Sequence, residues 1–389
     1  MPHILFVFAS AATAEYRVAG IPAAARAAHA LASLGQDDGI DQCTIVAGTS
    51  WTPSADVQAE CRRLAAHLPL TFGAEPPTAD VWIVRGEAFI ATLAQREGEQ
   101  WRKIVLPALF DASANDGVAP SPEREEIALE KLRRASRLVL AATGKSGDGI
   151  VSRYINRPIS RAISYQLLRV PGLTPSHASM GTALLGIAMA FALFLGDAIG
   201  LIAGAVLFQA ASIFDGVDGE MARATYRTSE QGATLDSIID ACTNLAFVTG
   251  VTVNVGLSGD TYGAFAGVIA LVTLTSGLLL IGRRADAIGE PTNFDVIKRH
   301  FREKERRSLL MESLIHLTMR DFFALACAVM ILAGLTQWLL FAFAGVASAW
   351  LLVSAIVLLR TAKPVARCSD SRGRSISKAL ARKHRTSLR

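Results

Sequence analysis

The chain has 389 residues, of which 51% are hydrophobic and 19% charged, and its formal net charge at pH 7 is +5. The charged share lies below the roughly 25% of a soluble domain, and together with a mean hydropathy of +0.35 it argues against a wholly soluble protein. Five cysteines without a CxxC pair indicate neither a disulfide framework nor a zinc site, and reduced thiols suit a cytosolic face. The length allows two or three domains.

Residues 1–145 alternate short apolar runs with segments of helical character. We expect strands at 3–10 and 43–48 and helices at 18–35, 55–68 and 121–143, and the alternation continues through 80–86, 89–97 and 102–109. This order predicts an α/β domain with a mainly parallel sheet. The first apolar run is short and lacks a basic flank, so we interpret it as a buried strand and not as a signal peptide.

The segment order and the stretch VAGIPAAARAAHALASLG at 18–35 resemble a sugar-phosphate nucleotidyltransferase, which implies a Rossmann-like fold. That family holds nucleotide phosphates with a glycine-rich loop after the first strand, where this chain has ASAATAEYR and no glycine before Gly20. Where the family places a metal-binding aspartate, the nearby carboxylate is that of Glu87. We therefore expect a degenerate cytidylyltransferase-like domain that makes no CDP-activated substrate and has a structural or regulatory role.

Residues 146–172 are predicted to form an amphipathic interfacial helix. Apolar residues and arginines each recur at every fourth position: Val151, Ile155, Ile159, Ile163 and Leu167, and Arg153, Arg157 and Arg161. Such a helix lies at the lipid headgroups, here with a bend at Pro158, and its arginines lie near lipid or substrate phosphates. A plain interfacial anchor explains the arginines equally well.

Six apolar segments follow within residues 173–363, at about 177–196, 199–223, 233–256, 262–282, 321–341 and 343–361. Each is long enough to cross a hydrocarbon core of roughly 30 Å, which needs about 20 helical residues. The last two are so close in sequence that a tight turn near Ala342 is required. The sequence thus predicts an all-α domain with six transmembrane helices.

Basic residues are concentrated on one side of these segments. Nine lysines and arginines lie between 283 and 320, and residues 364–389 form a basic tail that we expect to be disordered, whereas the other side offers Asp197 and Asp260. The positive-inside rule then places both termini in the cytoplasm, at the inner or plasma membrane if the source is bacterial. Anionic lipid explains the pI near 9.1 without a nucleic-acid partner.

Four aspartates lie on two of the apolar segments, where ionisable groups mark a functional site by default. Asp215 and Asp218 are three residues apart and Asp236 and Asp240 are four apart, so each pair shares one helix face. Four carboxylates at one place need a cation, and oxygen ligands alone favour Mg²⁺, Mn²⁺ or Ca²⁺. The plainer interpretation is a set of polar helix ends at the membrane surface.

The aspartates belong to a longer pattern, D-x2-D-G-x2-A-R-x8-G-x3-D-x3-D, which is complete here: Asp215, Asp218, Gly219, Ala222, Arg223, Gly232, Asp236 and Asp240. The pattern resembles the signature of the CDP-alcohol phosphotransferases, integral membrane enzymes of phospholipid synthesis with six spans and a cytosol-facing site. The resemblance implies Mg²⁺ or Mn²⁺ held by all four aspartates, and transfer of a substituted phosphate from a CDP-linked donor to an alcohol with release of CMP. It also implies that Asp240 is the general base.

By the same resemblance, small and polar residues near the aspartates bind the CDP group. Within the motif these are Gly219, Ala222, Arg223 and Gly232, beside Asp215 and Asp218. At the first span, Thr174, Pro175 and Ser179 match the family's T-P-N-x-x-T, with Ser176 in place of asparagine. We expect His177 to be interfacial rather than catalytic.

The acceptor site is predicted from basic residues. Arg157, Arg284 and Arg320 are candidates to bind the phosphate of a phosphorylated acceptor, whereas a positive-inside flank with a salt bridge to Asp321 explains Arg320 equally well. Some family members carry an N-terminal cytidylyltransferase-like domain, notably those using inositol phosphate. This analogy suggests inositol phosphate or a related polyol phosphate as the acceptor.

Three functions remain open from the sequence. The first is a phosphotransferase in the lipid bilayer, acting on CDP-diacylglycerol or another CDP-alcohol, and a homodimer as family members often are. The second is a bifunctional enzyme whose N-terminal domain also makes the CDP-alcohol, against which the missing glycine-rich loop argues. The third is a non-enzymatic transporter that keeps the carboxylates for ion passage. The first accounts for the glycines and Arg223 at their spacing.

Overall fold

The computed structural model describes residues 3–34, 42–48, 51–73, 81–95, 105, 122–145, 148–288 and 320–361, with side chains except at 122, 123, 278, 281–288, 350 and 353–361. A small α/β region is followed by a mostly helical region, which confirms the predicted fold class. In chain order the first region contains β1 (His3–Phe8), α1 (Ala11–Glu15), β2 (Arg17–Val18), β3 (Ile21–Pro22), α2 (Ala23–Ala32), β4 (Cys43–Ala47), α3 (Ala55–Leu64), β5 (Leu70–Phe72), β6 (Val81–Arg85), α4 (Gly86–Gln95) and α5 (Pro122–Ala142).

A four-stranded parallel sheet with the order β5-β4-β1-β6 is the centre of this region. Parallel neighbours need crossover connections, so helices pack on the sheet. Phe6 of β1 stacks on Phe89 of α4 with ring centroids 5.2 Å apart, and the ring of Phe8 lies against Gly86 at the start of α4. The strand expected at 102–109 lies outside the described residues except for Val105.

The helix expected at 18–35 is shorter than predicted. The hairpin of β2 and β3 replaces its first turn, with Ala19 and Gly20 at φ 46° and 88°. Such left-handed backbone cannot continue a helix. Helix α2 therefore begins only at Ala23.

The segment expected to form an interfacial helix, residues 146–172, contains helical structure, but its arginines do not share one face. A π-helical turn (Ser152–Asn156) leads directly into α6 (Arg157–Leu167). The buried stripe consists of polar residues, namely Ser152, Asn156, Ser160 and Ser164. Arg153 is exposed while Arg157 is buried, because the wider π turn shifts the register by one residue.

In the described parts of the second region, 175–288 and 320–361, the chain forms α7 (Pro175–Phe194), α8 (Ala198–Ala224), α9 (Glu230–Leu257), α10 (Thr261–Ile288), α11 (Arg320–Leu332) and α12 (Thr336–Thr361). Within the described residues, α7, α8 and α9 are long and apolar enough to cross a membrane. Shorter apolar stretches lie at 261–277 and 336–349.

The turn predicted near Ala342 is wrong, because Ala342 lies inside α12. The chain turns instead between α11 and α12, where Gly334 has a φ of 73°. Glycine adopts this conformation without the steric cost that a Cβ would bring. As a result α11 has 13 residues, fewer than the fifth span was expected to have.

Close packing fixes α7, α8 and α9 against one another. Leu193 of α7 lies against both Gly204 of α8 and Gly250 of α9, where an added Cβ would come within 2.4 and 2.6 Å of the leucine. Phe208 and Phe247 stack between α8 and α9 with ring centroids 4.0 Å apart. The two aspartate-bearing helices are thereby held together in the apolar part of the bundle.

Candidate active site

Three of the four motif aspartates meet where α8 faces α9. Asp215 lies on α8, while Asp236 and Asp240 lie one helical turn apart on α9. One carboxylate oxygen of each lies within 4.8 Å of the other two. The spacing of four residues directs Asp236 and Asp240 to the same side of α9.

The fourth aspartate, Asp218, is buried on α8 beside this group. Its carboxylate accepts a hydrogen bond of 2.5 Å from the Oγ of Ser179 on α7. A third helix is thus tied to the acidic site. Ser179 is the residue of the T-P-x-x-x-S stretch that contacts a motif aspartate.

Arg320, the first residue of α11, places its guanidinium against the aspartates. Its Nη1 lies 2.9 Å from Asp215 Oδ1 and also forms an ion pair with Asp240. The Arg320 side chain is only 10% exposed. The protein therefore supplies one positive charge to the acidic group.

The donor set fits a hard cation. The Oδ1 atoms of Asp215 and Asp240 are buried, and within the described part of the chain their partner is the ion-paired Nη1 of Arg320, with no other hydrogen-bond donor. Carboxylate oxygens grouped in this way are ligands suited to Mg²⁺, Mn²⁺ or Ca²⁺. Asp215, Asp236 and Asp240 could therefore hold a divalent metal ion.

The start of α7 is shaped by the other residues of the T-P-x-x-x-S stretch. Thr174 is the N-cap, and its Oγ1 lies 2.7 Å from His177 Nδ1. Pro175 stands in the first turn, where a missing N–H costs no hydrogen bond. These contacts give Thr174, Pro175 and His177 a role in starting the helix that brings Ser179 to Asp218.

The motif's arginine and glycines lie on both sides of the loop between α8 and α9. Arg223 Nε donates to Thr143 O at 2.7 Å, and its guanidinium passes over Gly219, where an added Cβ would lie 3.0 Å from Nη1. The N–H of Gly232 donates to Ser229 Oγ at 3.0 Å in the first turn of α9. Ala222 is half-buried next to Arg223.

Arg157, a candidate for the acceptor site, directs its guanidinium into the protein. It donates to Asp148 through Nε at 2.9 Å and to Glu220 through Nη1 at 3.1 Å. Burial would raise the pKa of the Asp148 carboxyl, but the hydrogen bonds and charge of Arg157 outweigh burial and hold that pKa below its ordinary value. The other candidate, Arg284, lies outside the residues whose side chains the structure describes.

Glu220, which the sequence analysis missed, anchors the interfacial helix to α8. Its side chain is fully buried and accepts hydrogen bonds from Ser160 at 2.6 Å and Ser164 at 2.7 Å, besides the one from Arg157. The serines recur at the helical spacing of four, and a glutamate inside an apolar helix needs partners. Those two signals together could have located this contact.

A second buried network, also missed, lies beside Arg320. Asn156 Nδ2 and Ser212 Oγ each donate to Asp321 Oδ1 at 3.0 Å, and Gln209 Nε2 donates to Asn156 Oδ1 at 3.0 Å. Asp321 is thus tied to α8 and to the π-helical turn rather than paired with its neighbour Arg320. The network fixes the start of α11.

Comparison with known proteins places this geometry in a family. Residues 173–350 match the family model described as CDP-alcohol phosphatidyltransferase. The chain is also similar to proteins named bifunctional IPC transferase and DIPP synthase. The one from Thermococcus kodakarensis is 42% identical over 120 residues, 31% of this chain and 26% of that protein. The one from Aquifex aeolicus is 37% identical over 132 residues, 34% of this chain and 29% of that protein.

These matches span about a quarter to a third of the relatives' length. The family match includes all four motif aspartates and the helices that carry them. The apolar helices, together with this match to a family model, indicate an integral membrane protein. The family model described as CDP-alcohol phosphatidyltransferase thus covers just under half of this chain, at residues 173–350.

Proposed function

We propose that this protein moves a substituted phosphate from a CDP-linked donor to a polar alcohol and releases CMP. The observation that carries the proposal is the meeting of Asp215, Asp236 and Asp240 within 4.8 Å, on helices inside the matched family domain. Like charges this close are unfavourable unless a cation balances them. Mg²⁺ or Mn²⁺, held by these three and by Asp218, would neutralise the donor pyrophosphate and improve CMP as a leaving group.

Asp240 is the proposed general base. The acceptor hydroxyl oxygen attacks the phosphorus next to the donor's alcohol, the bond to CMP breaks, and the hydroxyl proton passes to Asp240. CMP leaves with the bonding electron pair. Among the described residues the partner of Asp240 Oδ1 is the ion-paired Arg320, so this oxygen can accept a proton once Arg320 turns toward an acceptor phosphate.

The proposed CDP site lies around the start of α7 and the end of α8. It comprises Thr174, Pro175, Ser179, Asp215, Asp218, Gly219, Ala222, Arg223 and Gly232. Arg223 Nη2 is buried and has no hydrogen-bond partner in the described part of the chain. This donor can bind a donor phosphate or the cytidine group.

Arg320 is the strongest candidate for the acceptor phosphate, since its guanidinium already lies between Asp215 and Asp240. Arg157 and Arg284 are weaker candidates, because Arg157 is engaged by Asp148 and Glu220. The resemblance of the α/β domain to the cytidylyltransferase-like domains of some family members favours inositol phosphate or a similar polyol phosphate as the acceptor. The donor is CDP-diacylglycerol or, second, CDP-inositol.

The membrane arrangement we propose has six spans, both termini in the cytoplasm and the active site at the cytoplasmic face, in a homodimer. The basic residues between 283 and 320 and beyond 364 support this orientation. Cysteine accessibility to a membrane-impermeant reagent in right-side-out and inverted vesicles tests it, because a cysteine introduced at Ser229 should react in inverted vesicles.

A second candidate is a bifunctional enzyme, which the relatives' names favour. The α/β domain argues against it. Glu87 follows β6 and accepts a hydrogen bond of 2.7 Å from the N–H of Ala9, directly after β1. The carboxylate thus occupies the edge of the sheet where a nucleotide would bind. Pyrophosphate release from CTP and a polyol phosphate by the full-length protein would favour the bifunctional enzyme.

The test of the main proposal is CMP release by purified full-length protein with Mg²⁺ or Mn²⁺. CDP-diacylglycerol and CDP-inositol are each combined with inositol, inositol phosphate, glycerol phosphate and serine. Release with one acceptor identifies donor and acceptor together. Ion movement across vesicles without any CMP release would instead favour a transporter.

A further inference from the structure

The loop between α8 and α9 joins the two halves of the aspartate site. Helix α8 ends at Ala224 and α9 begins at Glu230. The backbone at this end has the Schellman arrangement, with the N–H of Arg227 bonded to Ala222 O at 2.9 Å and that of Tyr226 to Arg223 O at 3.4 Å. Tyr226 has a φ of 53°, at the position where glycine is usual.

This ending leaves the last carbonyl oxygens of α8 without partners in their own helix. Two arginines of the α/β domain bind them. Arg26 Nη2 donates to Ala224 O at 2.8 Å. Arg63 donates to Thr225 O at 2.9 Å through Nη2 and to Tyr226 O at 3.4 Å through Nη1. Cations at this end of a helix also offset its dipole.

The same domain holds the Tyr226 side chain. Arg26 Nη1 donates to Tyr226 Oη at 3.2 Å, and the ring of His29 lies 4.3 Å from the tyrosine ring. A left-handed backbone is unfavourable for a residue that has a Cβ. The contacts from α2 offset that cost.

Glu60 of α3 extends the contact to the far side of the loop. It pairs with Arg63 at 2.6 Å and with Arg227 at 2.5 Å. The α/β domain therefore forms hydrogen bonds or ion pairs with four successive residues at the end of α8 and in the loop, namely Ala224, Thr225, Tyr226 and Arg227. None of these contacts involves the edge of the sheet at Glu87.

We propose that Arg26 and Arg63 are positioning residues for the aspartate site. By fixing the end of α8 against the α/β domain, they set the separation between Asp215 and the pair Asp236 and Asp240. A helix transmits a rotation of its end to a residue three turns away, and a displacement of about 1 Å can cost on the order of 100-fold in rate. The α/β domain thereby serves the site without binding a nucleotide.

The test compares Arg63→Met with Arg62→Met in the full-length protein. Arg62 is the neighbouring arginine, and its Nε donates to Gln58 O within α3. Mn²⁺ binding, followed by the EPR signal of free Mn²⁺, does not depend on turnover, whereas kcat for CMP release rests on the proposed function. We expect Arg63→Met to weaken Mn²⁺ binding and lower kcat by about tenfold each, with an unchanged acceptor KM and unchanged thermal stability of the helical domain.

Arg63→Lys, which keeps one donor, should recover part of the loss, and Arg62→Met should behave as wild type. A folded Arg63→Met protein with wild-type Mn²⁺ affinity and kcat would overturn the proposal. If that variant does not fold, Tyr226→Phe removes the acceptor of Arg26 and keeps the ring against His29; unchanged Mn²⁺ binding in this variant also overturns it. Wild-type protein that binds Mn²⁺ but releases no CMP would contradict the proposed function alone.

Discussion

Glu87 in the α/β domain and the aspartate group in the helical domain are both buried acidic sites, but their surroundings differ. Glu87 is 6% exposed and accepts the N–H of Ala9. The buried Oδ1 atoms of Asp215 and Asp240 lie close to each other and, within the described residues, are paired with Arg320. A single carboxylate that the backbone satisfies stabilises a fold. A group of closely spaced carboxylates is suited to bind a cation.

The largest expected effect comes from removing one charge of that group. Asp240→Asn keeps the size of the side chain but removes the base and one metal ligand. We expect kcat for CMP release to fall by about 1,000-fold or more, with folding retained by size-exclusion chromatography. Asp260→Asn is the matched control, because Asp260 caps α10 by accepting the N–H of Gly263 and asparagine can do the same.

Removing Arg157, the ion-pair partner of Glu220, should lower the stability of the protein. Arg157→Met leaves Glu220 buried without its positive partner, and such a loss costs about 3 kcal/mol or more of the free energy of unfolding. Thermal unfolding in detergent measures it, with the exposed Arg153→Met as control. A normal stability combined with a raised acceptor KM would show that Arg157 binds the acceptor and does not serve the fold.

The same acid-to-amide change in the α/β domain should have a small effect. Glu87→Gln keeps an oxygen that can accept the N–H of Ala9, so we expect a loss of stability of about 1 kcal/mol or less and unchanged CMP release. We therefore expect Asp240→Asn to abolish most CMP release and Glu87→Gln to leave it unchanged. Loss of CMP release in Glu87→Gln would contradict the purely structural role assigned to Glu87.

The smallest effect concerns pH and the contact between the domains. Burial, together with the charges of Arg26 and Arg63, lowers the pKa of His29, whose Nδ1 lies 3.0 Å from Leu64 O. Below the ordinary pKa of about 6.5 the unfolded chain therefore binds more protons than the folded protein, so stability falls as pH decreases through that value.

We expect His29→Gln to flatten the dependence of the unfolding temperature on pH between about 7.5 and 5.5. His67→Gln is the control, since His67 is exposed on the same domain. An equal slope in His29→Gln and wild type would contradict the assignment of the pH dependence to His29.

Length and apolar composition sufficed to predict α7, α8 and α9 as helices long and apolar enough to cross a membrane. The segments expected at 199–223 and 233–256 correspond to α8 at Ala198–Ala224 and α9 at Glu230–Leu257. The spacing of the aspartates also predicted that they would converge, because helical periodicity fixes the face of each pair. In these cases the composition and spacing of neighbouring residues are enough to predict the structure.

Other features depend on contacts distant in sequence and were not predicted. The polar stripe of the interfacial helix faces Glu220, more than 50 residues away in sequence, and a π turn shifts its register. The turn at Gly334 was not predicted because the sequence on both sides of it is apolar. Arg26 lies in an alanine-rich helix, and nothing nearby in sequence shows that it binds Ala224 O.

The most direct test of the central claim is the dependence of CMP formation on metal in the wild-type protein. Purified protein is treated with a chelator, supplied with a CDP-linked donor and a polyol phosphate acceptor, and then given Mg²⁺ or Mn²⁺ while CMP is followed by ³¹P NMR. We predict no CMP before the metal is added and steady, acceptor-dependent release afterwards. Absence of CMP with both CDP-diacylglycerol and CDP-inositol, for every acceptor and either metal, would contradict the account.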